Sequence, residues 1–191
     1  MKHKYAIPAK KELRIAISGA SGCGNTTVST LLADTLGIPC INYTFRNLAK
    51  ELDMPLKKVI EQAKTDFSFD RIIDSRQVEQ AMKSSCVLGS RLAIWMLKEA
   101  DLKVYLYASA EVRAGRIFQR EGGSLEHIKE FTAMRDSDDT RRYKELYNID
   151  NTDYAFADML IDTEHYTPDL IVELIIDELL RRSLIVPKAD T

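Results

Sequence analysis

Residues 18–30 read SGASGCGNTTVST, directly after the apolar run LRIAIS at 13–18. Gly19, Gly22 and Gly24 suit a loop that folds tightly around an anion, because glycine tolerates positive φ and lets backbone N–H groups approach phosphate oxygens. Beyond the loop, Val28, Leu31, Leu32 and Leu36 fall on one helical face and Gly37 stops the run, so strand, loop and helix follow in order. The helix N-terminus adds its dipole and its free N–H groups to the same anion site. Thr26 takes the position whose hydroxyl reaches Mg²⁺ in a G-x-x-x-x-G-K-[ST] loop, but Asn25 stands where that pattern has lysine. Asparagine donates a hydrogen bond without charge, and a missing cation at this point costs roughly 3 to 4 kcal/mol of stabilisation in a transfer reaction. The loop therefore predicts a polyphosphate site and leaves the transfer step open.

Outward from the loop, short apolar runs alternate with segments of helical period, the pattern of a parallel sheet covered by helices on both faces. The expected strands are 13–18, 39–43, 85–88, 103–107 and 158–162, giving an α/β fold of the P-loop NTPase type with a five-stranded parallel sheet. Expected helices span 26–36, 44–51, 56–64, 70–83 with Ile72, Ile73 and Val78 inward, 91–99, 110–121 and 168–182. The last carries Leu170, Ile171, Leu174, Ile175, Leu179 and Leu180 toward the sheet. The segment 124–147, SLEHIKEFTAMRDSDDTRRYKELY, has helical period but is heavily charged, as a closing arm would be. With 191 residues, one domain is expected: a core over about 12–120 and 150–182, and a helical lid over about 121–149.

Lys plus Arg number 27 against 29 Asp plus Glu, so no long-range field favours nucleic acid or an anionic membrane. Cys23, Cys40 and Cys86 are an odd set without metal or redox spacing, as expected of idle thiols in a reducing cytosol. The basic start MKHKYAIPAKKE leads into a strand rather than a long apolar stretch, and no run nears the roughly 20 residues of a membrane span. A cytoplasmic protein, and a monomer, is expected.

Arginines recur at the mouths of the expected elements. Arg46 and Arg91 follow the second and third strands, Arg76 lies on the charged helix, and Arg135, Arg141 and Arg142 lie in the closing segment. Ligands of open α/β sheets bind beyond the carboxyl ends of the strands, where a guanidinium fork matches phosphate. The stretches ISGASGCGNTT, FRNLAKELDMPL, FDRIIDSRQVEQAM, SRLAIWMLKEADLKVYLYA, VRAGRIFQREG, RDSDDTRRYKELYNID and FADMLIDT together resemble the cytidylate kinases of the short, archaeal type, over about residues 13–176. That resemblance implies an ATP-phosphate role for Gly19, Ala20, Ser21, Gly22, Cys23, Gly24, Asn25, Thr26 and Thr27, with Mg²⁺ at Thr26. It implies that Arg46, Arg76 and Arg91 meet the monophosphate, and that Arg135 and Arg142 reach the transferring phosphoryl group from a lid. Family members turn CMP or dCMP plus ATP into the diphosphate plus ADP.

The chain departs from the family at Asn25, before the Phe-Arg pair at 45–46, and at Gly89 and Ser90, where the family usually shows Glu-Gly. Asp70 and Asp74, at i and i+4, have two readings: contact with a cytosine amino group, or surface pairing with basic neighbours. Asp136, Asp138 and Asp139 could hold Mg²⁺ waters or orient the lid arginines, but a solvated stretch balancing Arg141 and Arg142 is the favoured reading; His127 and His165 are read as exposed, and Trp95 and Met96 as core. Two functions follow: a nucleoside monophosphate kinase acting on CMP or dCMP, or a nucleotide-binding relative without turnover that serves as a sensor or partner. A kinase for another small acceptor is the third reading.

Overall fold

The computed structural model describes residues 4–63 and 65–188. The first strand, β1 (Tyr5–Ala6), pairs antiparallel with the last, β7 (Val186–Pro187), a clip between the two ends that the sequence reading lacks. The main sheet joins β2 (Arg14–Gly19), β3 (Cys40–Ile41), β4 (Cys86–Gly89), β5 (Leu102–Tyr107) and β6 (Met159–Asp162) in the order β3-β4-β2-β5-β6. All its pairs are parallel. The connections leave β2 first toward β3 and later toward β5, so the crossover direction reverses beside β2 and opens a crevice at its carboxyl end.

Strand β2 faces covered layers on both sides, which its continuous apolar run predicts. Ile15 and Ile17 join Leu32 and Val28 of α1 (Asn25–Leu36) and Ile171, Ile175 and Leu179 of α8 (Pro168–Arg181) in one cluster. Ala16 joins Leu88, Ile94 and Tyr105 in the cluster on the other face, beneath α4 (Ser68–Ala81) and α5 (Ala93–Met96). A third cluster joins Leu48, Val59 and Ile73, from α2 (Phe45–Glu51), α3 (Leu56–Ala63) and α4. Two further helices, α6 (Ala110–Glu121) and α7 (Leu125–Tyr147), pack on each other across the turn at Gly122 and Gly123. The 23 residues of α7 reach about 35 Å.

Three expectations are corrected. The helix expected over 91–99 is one turn, because Leu97 leaves helical geometry at ψ 83 and Asp101 binds the Arg14 backbone in both directions, at 2.8 Å each way. That tether starts β5 early. On α4, Ile72 is 39% exposed, and the buried stripe is Asp70, Ile73, Gln77 and Ala81. On α8, Leu170 and Leu174 face outward while Ile171, Val172, Ile175, Ile176 and Leu179 turn inward, since the contact with α1 and the sheet covers one stripe only. Lys64, which ends one expected helix, lies outside the described residues.

The glycine loop is locked by α6. Gly22 has φ +85, and a Cβ there would meet the Arg113 backbone oxygen at 2.8 Å and its Cβ at 2.9 Å. Gly115 of α6 has nothing within 4 Å of its Cβ position. Gly22→Ala is therefore expected to destabilise the chain by about 2 kcal/mol or more. Gly115→Ala is expected to stabilise it by about 0.5 to 1 kcal/mol through lost unfolded-state freedom. Urea unfolding midpoints of the two variants test the pair, and shifts of the same sign refute the packing argument.

Candidate active site

At the carboxyl end of β2 the chain turns through the glycine loop into α1. Gly24 caps the helix in the left-handed region without a side-chain bond, and no acidic residue stands in its first turn. The first N–H groups of α1 therefore keep their hydrogen-bonding capacity for an anion. The loop's carbonyls are held elsewhere: Arg113 donates to the Ser21 oxygen at 3.0 Å, and Arg116 to the Gly22 oxygen at 3.4 Å. Arg116 is itself fixed by Thr163 through the hydroxyl at 2.8 Å and the backbone oxygen at 2.6 Å.

A cleft of about 680 Å³ runs from this loop to α4. Gly19 through Thr27 line it, and so do Arg91, Arg116, Arg120 and Arg135. The sequence reading missed Arg116 and Arg120, whose signal was only their i, i+4 spacing on a helix that follows β5. Asp70, Ile73, Asp74 and Gln77 line the α4 end. Arg46 and Arg76 do not border the cleft; Arg46 is exposed on α2, and Arg76 pairs with Glu51 at 2.8 Å and Glu79 at 3.5 Å. Thr26 is exposed at the helix start. The Asn25 amide oxygen and the Ser29 hydroxyl are buried without a hydrogen-bond partner. A Cβ at Gly89 would meet that hydroxyl at 2.4 Å, which accounts for glycine at this position.

Helix α7 is docked by charge. Arg91 pairs with Asp139, Arg142 with Asp70, and Arg113 with Asp136 at 2.7 Å. Asp136 and Asp139 are thus bound into the site rather than solvated, a correction to the sequence reading; only Asp138 pairs with Arg141, at 3.5 Å, on the surface. Burial would lower the Arg91 pKa, but Asp139 and Tyr143 more than offset it. Asp139 itself is raised by burial despite Arg91, Arg135 and Arg142. Arg135 makes no hydrogen bond or ion pair among the described residues, and burial followed by repulsion from Arg91 lowers its pKa. Arg142 turns away from the glycine loop toward Asp70 and over the Phe67 ring at 5.9 Å. His127 and His165 are exposed, and no cluster of three metal-ligating side chains occurs among the described residues. No described helix is long and apolar enough to cross a membrane.

Asp74 stands out at the α4 end. Burial pushes its pKa up to about 6, against the pull of the Tyr147 hydroxyl that donates to it at 2.8 Å. Its ordinary value is 3.8, so the folded chain holds the proton more tightly than the unfolded one. Its favourable contribution is complete below pH 4 and is lost as the pH rises through 6, by about 3 kcal/mol. Asp74→Asn is expected to melt higher than the parent at pH 8 and at the same temperature at pH 4. An offset independent of pH contradicts the buried carboxylate.

The model of the Cytidylate kinase-like family matches residues 14–165. Cytidylate kinase 2 of Borreliella burgdorferi is 45% identical over 176 residues, covering 90% of this chain and 98% of that protein. Cytidylate kinase of Pyrococcus horikoshii is 38% identical over 175 residues, covering 89% and 91%. Among solved structures, shikimate kinase from Acinetobacter baumannii in complex with shikimate aligns over 92% of this chain and 97% of its own with a TM-score of 0.64, at 19% identity, which is a likeness of fold. Full-length similarity in sequence, together with the glycine loop and the five-stranded sheet, establishes that this chain belongs to the cytidylate kinase-like family.

Proposed function

We propose that the protein transfers the γ-phosphoryl group of ATP to CMP or dCMP, giving ADP and CDP or dCDP. The observation that carries this reading is the single cleft joining the uncapped loop, four guanidinium groups and the polar face of α4. ATP phosphates would lie along Gly19–Thr27, where backbone N–H groups and the α1 dipole take negative charge. Arg91 and Arg135, close enough to repel each other, would meet the phosphates together. Asp139 would hold Arg91 in place beforehand, so little reorganisation of that guanidinium is needed when charge develops between donor and acceptor. Arg116, clamped by Thr163, would add a fixed positive charge beside the loop. Arg46 and Arg76 would act on the acceptor only after movement of α2 and α4. Helix α7 would be the lid, excluding water while the phosphoryl group moves, with residues 121–149 as the moving part.

The residues present fit Mg²⁺. Such an ion keeps several waters and takes one or two protein oxygens plus phosphates, so the Thr26 hydroxyl at the cleft is a sufficient protein contribution. Bound there, it would neutralise phosphate charge. Asn25 would supply a hydrogen bond where related loops have lysine, and the arginines would carry the charge.

Purified protein with ATP, Mg²⁺ and CMP is expected to release ADP and CDP in equal amounts, read by a coupled ADP assay and nucleotide chromatography. Failure with every monophosphate tested refutes the reading. Asn25→Lys is expected to raise kcat/KM for ATP by up to about a hundredfold, the lower end of what one preorganised donor contributes. An unchanged value assigns the neutralisation to the arginines alone.

A further inference from the structure

The Asn25 amide oxygen and the Ser29 hydroxyl are buried without a hydrogen-bond partner, so they do not bond each other either. Ser29 is 1% exposed and follows Asn25 by one turn on α1. Both oxygens lie against the same spot. The place where a side chain on Gly89 would begin is 2.4 Å from the hydroxyl and 4.0 Å from the amide oxygen. Asn25 and Gly89 border the cleft, which puts this spot in the cleft wall beside the glycine loop. Buried polar atoms of folded chains are nearly always paired, and two unpaired oxygens at one place point to a bound group that supplies a donor or a positive charge.

The chemistry of the pair selects a monovalent cation. In a G-x-x-x-x-G-K-[ST] loop a lysine ammonium stands at the position of Asn25. An amide oxygen and a hydroxyl are neutral acceptors, of the kind that replaces the water shell of K⁺. Mg²⁺ gives up its water reluctantly and binds through carboxylates and phosphates, so it suits the Thr26 hydroxyl beside a polyphosphate and not two buried neutral oxygens. A water in the same place would satisfy the oxygens but bring no charge to the loop. The start of α1 carries the positive end of the helix dipole, which repels a lone cation and accepts one only together with phosphates. Cation and nucleotide then strengthen each other's binding by the same factor.

We infer that Asn25 and Ser29 form a K⁺ site completed by the phosphates of the nucleotide, with the ion standing in for the missing loop lysine. This rests on the reading of the glycine loop as a polyphosphate site and deepens the kinase proposal by naming an activating ion. Asn25 Oδ1 and Ser29 Oγ supply the protein oxygens, and phosphate oxygens and water complete the shell. The arginines keep their share, since they act from the α6 and α7 side of the cleft while the ion acts at the start of α1. Asn25→Lys carries a tethered ammonium into the same place and makes the ion redundant.

The test is calorimetric titration with ATP at constant MgCl₂ and ionic strength, in KCl and in tetramethylammonium chloride. It is run on the parent chain, Asn25→Lys and Ser29→Ala, each checked for folding by its melting curve, with CMP turnover followed in the same buffers. The parent is expected to bind ATP about tenfold more tightly in KCl, and the K⁺ concentration that gives half of this effect is expected to fall as ATP rises. Asn25→Lys is expected to bind ATP equally in both salts, so that its advantage over the parent is largest without K⁺. Ser29→Ala loses a buried unpaired hydroxyl; without nucleotide it is expected to melt no lower than the parent, and with ATP to need about tenfold more K⁺ for the same effect. Equal ATP affinity of the parent in the two salts overturns the inference, as does a salt difference that persists in Asn25→Lys or an unchanged K⁺ requirement in Ser29→Ala. Any of these leaves the kinase reading standing as long as CDP forms. K⁺-dependent ATP binding that Asn25→Lys abolishes upholds the inference even where no monophosphate is turned over, an outcome that removes the kinase reading instead. ATP binding in neither salt overturns both.

Discussion

A loop that holds anions through its N–H groups needs somewhere for its carbonyls to go. Here α6 supplies that place. Arg113 and Arg116 take the oxygens of Ser21 and Gly22, and the Arg113 backbone lies so close to Gly22 that no side chain fits. The contact fixes the peptide planes of the loop and thereby aims their N–H groups at the cleft. It also binds the loop to β6 and beyond, because Arg116 is held by Thr163, directly after that strand. Loop, sheet edge and α6 therefore form one rigid unit, against which other parts can move without loosening the anion site.

The second organising feature is that most of the site's cations already have anions. Arg91, Arg113 and Arg142 each hold a carboxylate, in positions buried enough for desolvation to offset much of the attraction. Such pairs add little net stability, though parting one without a replacement charge is costly. In the proposed reaction a phosphate would share the Arg91 guanidinium, whose several N–H donors leave room beside Asp139, so substrate charge and α7 position would be coupled through one cation. Arg116, held by neutral oxygens, and Arg135 have no carboxylate partner among the described residues, and burial, followed by repulsion from Arg91, lowers the Arg135 pKa.

The sheet and the loop were legible in the sequence because apolar runs and glycine spacing are local signals. Each of the five strands appeared within two residues of its expected start. The polar stripe of α4 was not legible, since Asp70 and Gln77 are buried against a cleft rather than a core, and apolar periodicity pointed to Ile72 instead. Arg116 and Arg120 escaped notice because nothing in a helix sequence distinguishes a guanidinium that borders a cleft from one in water. The reverse error occurred at Arg46 and Arg76, which sit at the right elements but outside the cleft in this arrangement. Pairing partners 48 and 72 residues apart, such as Arg91 with Asp139 and Arg142 with Asp70, are tertiary facts with no local trace.

The departures at Asn25 and Gly89 look unrelated along the chain and meet in space. The Ser29 hydroxyl occupies the place where a side chain at 89 would begin, and the Asn25 amide oxygen lies 4.0 Å from that same point. An acidic side chain at 89 would need Ser29 to move, and without a lysine at 25 it would have no cation beside it. Both charges are absent together, leaving two neutral, buried, unpaired oxygens in their place. The loop's own field is thus limited to backbone dipoles, and every full positive charge in the cleft comes from α6, α7 or the turn after β4. Of these, Arg135 is the one carried on α7, and it has no ion-pair partner among the described residues. In the proposed reaction the strongest field at the transferring group would therefore exist only while that helix is in place, which would confine phosphoryl transfer to the closed, water-poor state and disfavour loss of the phosphoryl group to solvent.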